Sequence, residues 1–336
     1  MAALDPTLAT VLDDLTDLPE WHELGVEDAR RVEDETFGGA SAPAVETEDV
    51  TVPLGSRDVA VRVYRPPGVE APAPGLVFAH GGGFVLGTLD SADDLAARLA
   101  TGTDSVVVSV DYRLAPEHPF PAGLADVEAL TRLVLAGSDE FGIDPDRVGV
   151  AGSSAGANLA ATVARRLRDE PAPAGGRTSL TCQLLFYPML DPRCDRRSHV
   201  EHADGPLLTR RDLVWFWALY QGDDEVTATQ AAAHVAAGGE GAAVTRGAAA
   251  SGGPPDLSPL ERGSYRNLPP AVVVTGGVDP LRDEGRAYAA ALADAGVPVA
   301  DLHYPGMCHG FLSLADVVPA AADAWDDVEA AVRRYR

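Results

Sequence analysis

The sequence predicts an α/β protein built on a mostly parallel β-sheet with helices on both faces. From Pro74 onward, apolar runs of strand length alternate with amphipathic runs of helix length. The strand runs are apolar throughout rather than at every second residue, as strands buried on both faces are. With 336 residues, 46% of them hydrophobic, the chain is long enough for two ordinary domains or one large α/β domain with insertions.

The elements follow in order. Residues 1–48 are acidic and helix-compatible, and Leu12, Leu15, Leu18 and Trp21 recur at intervals of three, which predicts one helix face laid on something larger. From Val50 the pattern changes: Val59 to Tyr64 alternates as a half-buried strand, and Leu54 to Asp58 reads as its hairpin turn. The buried strands are Leu76–Ala79, Ser105–Val110, Arg147–Ala151, Cys182–Phe186, Ala271–Thr275 and Val299–Tyr304. Asp90–Ala100, Leu124–Leu135 and Asn158–Arg168 read as helices between them. One interval, Phe186 to Ala271, is about 85 residues long, far more than a crossover needs, and marks an insertion. Its first part carries an aromatic helix candidate, Leu213 to Tyr220. Its second, Val226 to Pro255, is nearly all Ala and Gly and has few large side chains to bury, which predicts mobility.

Composition excludes several function classes. Basic residues number 26 against 51 acidic ones, a formal net charge of −25, and every basic residue is Arg. Such a chain repels phosphate backbones and anionic lipid, so neither a nucleic-acid nor a membrane partner is expected. A GC-rich genome and adaptation to high salt both produce this composition. Cys182, Cys194 and Cys308 lack the paired spacings of a disulfide framework or a metal knuckle. Met1 to Leu18 carries acidic residues where a signal peptide needs a basic and then an apolar region, and no run of 18 apolar residues occurs. A reducing, cytoplasmic setting is the expectation.

Gly152-Ser153-Ser154-Ala155-Gly156 matches G-x-S-x-G, the turn that lifts a nucleophilic Ser above a sheet. In a chain with 34 glycines the pentapeptide alone says little. Its setting says more, because it follows the apolar strand Val148–Ala151 and precedes a helix-like run, the strand–turn–helix context that the motif requires. His80-Gly81-Gly82-Gly83-Phe84 likewise follows a strand, and its glycines let backbone N–H groups converge on a developing oxyanion. A phosphate loop fits poorly, for want of G-x-G-x-x-G or a following Lys-Ser/Thr; a plain flexible turn is the remaining alternative. A Ser hydroxyl needs a base, and a His base needs a carboxylate. Asp279 follows the strand Ala271–Thr275 and His309 follows Val299–Tyr304, giving the chain order Ser, Asp, His. Alone, Asp279 could merely cap the helix that begins near Leu281. Among the remaining histidines, His199 and His202 have a spacing that suits a metal on a helix, but no third ligand is evident.

With these motifs the sequence resembles the hormone-sensitive lipase family of α/β-hydrolases, the bacterial family IV esterases. The resemblance covers nearly the whole chain and rests on His80 to Phe84, Asp111 to Pro121, Gly152 to Gly156, Asp279 to Gly285 and His309-Gly310-Phe311. It implies an α/β-hydrolase fold with a helical cap: a cap segment at 1–48, and a catalytic domain at 49–336 that carries a cap insertion at about 188–225 and the Ala/Gly-rich insertion at about 226–256. It implies Ser154, Asp279 and His309 as a catalytic triad and the N–H groups of Gly82, Gly83 and Ala155 as an oxyanion hole. Phe84, Ser153, Trp215 and Phe216 are expected to bind substrate. The stretch from Tyr112 to Pro121 is expected to be a rigid scaffold loop. Two features depart from the family. Ser153 stands where many members have Asp and a subgroup has Thr, and the Ala/Gly-rich insertion lies where relatives pass quickly from the cap to Ser258-Pro259-Leu260.

The implied activity is hydrolysis of short- to medium-chain carboxylic esters through an acyl-enzyme, with no cofactor or metal and a small ester as the only obligate partner. An apolar pocket lined by the aromatic cap helix is expected to suit an alkyl chain better than a charged group. The resemblance also implies a homodimer built on an edge strand near the C-terminus. The alternatives are an amidase or other acyl hydrolase, which keeps the chemistry, and a non-catalytic small-molecule receptor. Receptors that resemble this family have lost the catalytic His, and His309 is retained.

Overall fold

Strands β1 (Glu46–Leu54) and β2 (Arg57–Arg65) pair antiparallel from Glu46↔Arg65 to Leu54↔Arg57, and β2 joins antiparallel to β4 (Val106–Val110). The remaining strands are all parallel: β3 (Ala73–Ala79), β5 (Ile143–Ser153), β6 (Gln183–Phe186), β7 (Ala271–Val278) and β8 (Val299–Cys308). The eight-stranded sheet runs β1-β2-β4-β3-β5-β6-β7-β8, with β8 at one edge. This computed structural model describes residues 3–15, 18–39, 42–55, 57–137, 140–169, 180–223, 256–260 and 263–335. The Ala/Gly-rich stretch, with the mobility expected of it, lies outside the described residues up to Asp256.

In the inner strands alternate residues enter opposite cores, whereas the edge strands β1 and β8 are largely exposed or half-buried, β8 against the expectation of a buried run at Val299–Tyr304. On β3, Val77 and Ala79 pack on one side and Leu76 and Phe78 on the other. The first core holds α4 (Ala122–Leu135), α5 (Ala155–Asp169) and α8 (Arg282–Asp294) through side chains such as Leu130, Leu159 and Leu292. The second holds α3 (Asp93–Gly102) and α9 (Pro319–Val332) through Leu99, Trp325 and Val328. Burial on both faces is why the inner parallel strands read as uninterrupted apolar runs.

At the N-terminus the structure departs from the expectation of one helix face through Leu12, Leu15, Leu18 and Trp21. Helix α1 (Pro6–Asp13) ends early, and Trp21 opens a separate 3-10 turn, Trp21–Glu23, ahead of α2 (Val26–Phe37). Asp13 and Asp14 crowd the end of α1 where its carbonyls already concentrate negative charge, and Pro19 disfavours helical backbone at Leu18. The apolar residues still pack, but on different partners: Leu12 joins the second core and Trp21 the first. Strand β1 begins at Glu46, inside the segment assigned to the cap, and the hairpin turn is tighter than the five residues expected.

Helix α7 (Arg210–Tyr220) is the predicted aromatic helix, preceded by the short α6 (Arg197–Glu201). Its N-terminus carries a polar tie to the N-terminal segment. Thr209 and Asp212 cap the helix reciprocally, and Asp212 also accepts from the backbone N–H of His22 at 2.9 Å and meets its Nδ1 at 3.0 Å. Beyond the undescribed stretch the chain is anchored again. Arg166 donates to Asp256 at 2.8 Å, Asn158 to the Leu257 carbonyl at 3.2 Å, and Ser258 to the Leu190 carbonyl at 2.7 Å.

Asp212 is buried and serves donors from two segments at once. Asp212→Ala leaves the amides of His22 and Thr209 without their acceptor, and is expected to cost about 2–4 kcal/mol of unfolding free energy. Urea unfolding of the two proteins checks this.

Candidate active site

Three parallel strands end at the same edge of the sheet, β5 separated from β7 and β8 by β6, and the residue that follows each carries a polar side chain: Ser154 after β5, Asp279 after β7 and His309 after β8. Ser154 takes the left-handed backbone conformation, φ 53°, between the end of β5 and the start of α5. Such a conformation costs of order 1 kcal/mol or more outside glycine and persists only where the surroundings impose it. Here they do. The N–H of Ser154 donates to the Phe186 carbonyl at 2.8 Å, and its own carbonyl accepts from the Met189 N–H at 3.1 Å. The flanking glycines are obligatory for space. A Cβ on Gly152 would lie 2.3 Å from the Gly156 carbonyl oxygen, and one on Gly156 would lie 2.0 Å from that of Ala79.

The three side chains meet. His309 Nε2 is 3.0 Å from Ser154 Oγ, and His309 Nδ1 is 3.0 Å from Asp279 Oδ2. The other oxygen of Asp279 accepts from the Leu281 N–H at 2.8 Å, which closes the turn ahead of the following helix, whose N-cap is Leu281, and fixes the carboxylate that orients the imidazole. A carboxylate can only accept here, which selects the tautomer with the proton on Nδ1 and leaves Nε2 free to accept from the Ser hydroxyl. Asp279 is fully buried, whereas the His309 side chain keeps 12% of its exposure. The ring of Tyr187 stands edge-on to the imidazole with centroids 4.9 Å apart. A hydroxyl so placed can attack an electrophile while its proton passes to the ring.

The glycine loop after β3 lies against this group. An added Cβ on Gly81 would come 3.5 Å from Ser154 Cβ. Gly82 and Gly83 take φ of 101° and 61°, and a Cβ on Gly83 would strike the Phe216 ring of α7 at 2.2 Å. The loop is held from behind. His80 is buried, its ring stacks on Tyr112 at 4.3 Å, its Nδ1 meets the Gly81 carbonyl at 2.8 Å, and Tyr112 Oη donates to the His80 carbonyl at 2.9 Å. Burial pushes the His80 imidazole down to about 4, so it is neutral at pH 7. The expected scaffold loop thus supplies, in Tyr112, a direct support for the glycine turn. Arg30 of α2 also grips this loop, donating to the Ala115 carbonyl at 3.0 Å and to Glu117 at 2.7 Å.

A cavity of about 380 Å³ opens over Ser154 and His309, walled by the glycine loop, the N-terminal segment and α7. Ser153 and Phe216 line it as expected. Phe84 and Trp215 do not. Phe84 is buried, stacked on Tyr220 at 3.8 Å, and Trp215 is buried in the first core. Consecutive residues on a helix point about 100° apart, so Trp215, Phe216 and Trp217 cannot all face one cavity. Residues that the sequence did not single out also line it, among them Tyr187, Glu33 and Asp94. No local pattern separates Glu33 from the other acids of α2, or Asp94 from Asp93.

The spacing of His199 and His202 makes no joint site: His199 Nε2 lies 2.9 Å from buried Glu284, whereas His202 Nε2 lies 3.2 Å from Arg282. Glu20, His22 and Asp212 have the compactness of a metal site, but their oxygens are already engaged by Arg211 and Thr209.

Residues 76–313 match the family described as the alpha/beta hydrolase fold. The chain is 41% identical over 294 residues to carboxylesterase NlhH of Mycobacterium tuberculosis, spanning 87% of this chain and 83% of that one. It is 35% identical to esterase LipI of the same organism, spanning 96% and 92%. Among solved structures, LAE6, an alpha/beta hydrolase from the metagenome of Lake Arreo, superposes with a TM-score of 0.84 at 34% identity, covering 100% of this chain and 99% of that one. No helix among the described residues is long and apolar enough to cross a membrane.

The neutral, buried state of His80 makes stability pH-dependent. Its folded value lies near 4 against 6.5 for the free side chain, so below about pH 6.5 the unfolded chain binds more protons and stability falls as pH falls. Between pH 7 and 5 His80 should contribute a loss of up to about 2 kcal/mol. Urea unfolding at both pH values should show that loss in the wild type, and a correspondingly smaller one in His80→Gln.

Proposed function

Since the chain belongs to the alpha/beta hydrolase family and is an esterase of the hormone-sensitive lipase type, we propose that it cleaves short- to medium-chain carboxylic esters through an acyl-enzyme on Ser154. The observation that carries this reading is the pair of 3.0 Å contacts linking Ser154 Oγ, the His309 ring and Asp279.

In the first half-reaction Ser154 Oγ attacks the ester carbonyl carbon while His309 Nε2 takes the hydroxyl proton. Asp279 holds the imidazole in the required tautomer and stabilises the imidazolium. The tetrahedral oxyanion is received by the N–H groups of Gly82, Gly83 and Ala155. Collapse expels the alkoxide, which takes the proton back from His309. In the second half, His309 draws a proton from water as it attacks the acyl-Ser154 carbonyl, and returns it to Ser154 as the acid leaves. Removing one oxyanion donor costs about 10²–10³ in rate in a well-studied protease, a magnitude that explains why the glycine loop is braced as firmly as the triad.

Residues 1–48 and about 188–225 act as the cap, a role supported by the positions of Trp21, Phe37, Leu207 and Phe216 around the cavity. The cavity volume lies near the lower end of the range of about 300–1,000 Å³ found for small-molecule sites, which favours short and medium acyl chains over long ones.

Hydrolysis of p-nitrophenyl esters from acetate to palmitate tests both parts. The expected profile has its highest kcat/KM among the shorter chains, and Ser154→Ala is expected to lower kcat by about 10⁴-fold or more. Full activity in that variant would remove Ser154 from the mechanism, and a maximum at palmitate would overturn the chain-length assignment.

A further inference from the structure

The cavity over Ser154 is mostly apolar, but its polar lining has one sign. Asp14, Glu33 and Asp94 all contribute to it and, among the described residues, no arginine does, in a chain whose cationic side chains are all arginine. Asp14 is exposed, Asp94 is buried at 2% exposure, and Glu33 is half-buried with its Oε2 out of contact with solvent. Each of the latter two has one satisfied and one unsatisfied oxygen. Glu33 is bonded to the Ser91 hydroxyl and the Gly87 backbone, and its Oε2 has no partner among the described residues. Asp94 is bonded to the Ser313 hydroxyl and the Leu95 backbone, and its Oδ2 has no partner among the described residues. Arg98, whose charge reaches Asp94, is itself bonded to Asp316.

Ser91 and Asp94 lie three residues apart where α3 begins, so the two carboxyls draw on the same stretch of wall. An ionised carboxylate moved out of water without a partner is costly, and a cation is the partner that offsets the cost most fully. Burial pushes the Glu33 carboxyl up to about 7 and raises that of Asp94, because little positive charge replaces the lost water. Trp21, Phe37 and Phe216 line the same cavity, and aromatic side chains are suited to receive a cation with an apolar jacket.

We infer that the cavity takes esters bearing a tertiary or quaternary ammonium group, held by Asp94 and Glu33 while the ester carbonyl lies at Ser154. The inference rests on the esterase reading given above, and it replaces the expectation that an alkyl chain suits the pocket better than a charge. The cation enters no bond-making step. It contributes binding and orientation, so its effect falls mainly on KM.

Matched isosteres test it: choline butyrate against 3,3-dimethylbutyl butyrate, which differ only by nitrogen for carbon in the alcohol arm, and an equivalent pair with trimethylammonium or tert-butyl at the end of the acyl arm. The cationic member of at least one pair is expected to have kcat/KM higher by about tenfold or more, carried by KM. That ratio should collapse toward unity in the Asp94→Asn/Glu33→Gln double variant, whose folding is checked by near-UV circular dichroism. The same pairs titrated calorimetrically into Ser154→Ala read selection without turnover, so failure of the esterase reading and failure of this one are separable. If the double variant misfolds, the wild-type ratios and the Ser154→Ala affinities still decide the matter. Equal or weaker binding of the cationic member in both pairs overturns the inference, as does a cation preference that survives in the folded double variant.

Discussion

Everything at the site depends on one crowded turn. Ser154 can present its hydroxyl at the edge of the sheet only because its backbone is forced to φ 53° between β5 and α5. It is forced there by hydrogen bonds to Phe186 and Met189 and by glycines on either side that let the neighbouring backbone close in. The turn is a local strain maintained by non-local packing. Its cost is offset by the two cores that hold β5 at the centre of the sheet, flanked by β3 and β6.

The parallel arrangement does the rest of the positioning. Strands that run in the same direction finish at the same edge, so residues following β5, β7 and β8 meet although more than a hundred positions separate Ser154 from either partner in sequence. β7 and β8 continue through Gly276, Gly277 and Pro305 to the residues just before Asp279 and His309. A Cβ on Gly277 would lie 2.1 Å from the Pro305 carbonyl oxygen, so the close approach of these strands also depends on glycine. Opposite them, the glycine loop is supported by a second rank of side chains, His80 and Tyr112, and Phe216 of α7 closes on Gly83 in front. The stability of the fold and the geometry of the site are therefore supplied by the same contacts.

Much of this was legible in the sequence, and what was not has physical reasons. The doubly buried strands declared themselves as apolar runs, and Ser154 and Asp279 were recoverable because each follows such a run; His309 follows the half-buried edge strand β8 and was recoverable from its place after the last strand. The break after α1 was obscured by a regular spacing of Leu12, Leu15, Leu18 and Trp21 that persists although the helix does not. The destinations of Phe84 and Trp215 could not be read from aromatic content, because facing is set by the angular position of each residue once its helix or loop has docked. Glu33 and Asp94 were invisible for a different reason: an acidic side chain in a chain of net charge −25 carries no signal until burial singles it out.

The central claim is that the Ser154 hydroxyl is the one activated nucleophile of this cavity, activated by His309. Stoichiometric labelling with diethyl p-nitrophenyl phosphate tests it most directly, with the released p-nitrophenol counted and the modified peptide located by mass spectrometry. The account predicts one equivalent released per chain, the diethylphosphoryl group on Ser154, and labelling slowed by orders of magnitude in His309→Gln. A label on another residue, or labelling of Ser154 at an undiminished rate without the imidazole, would contradict it.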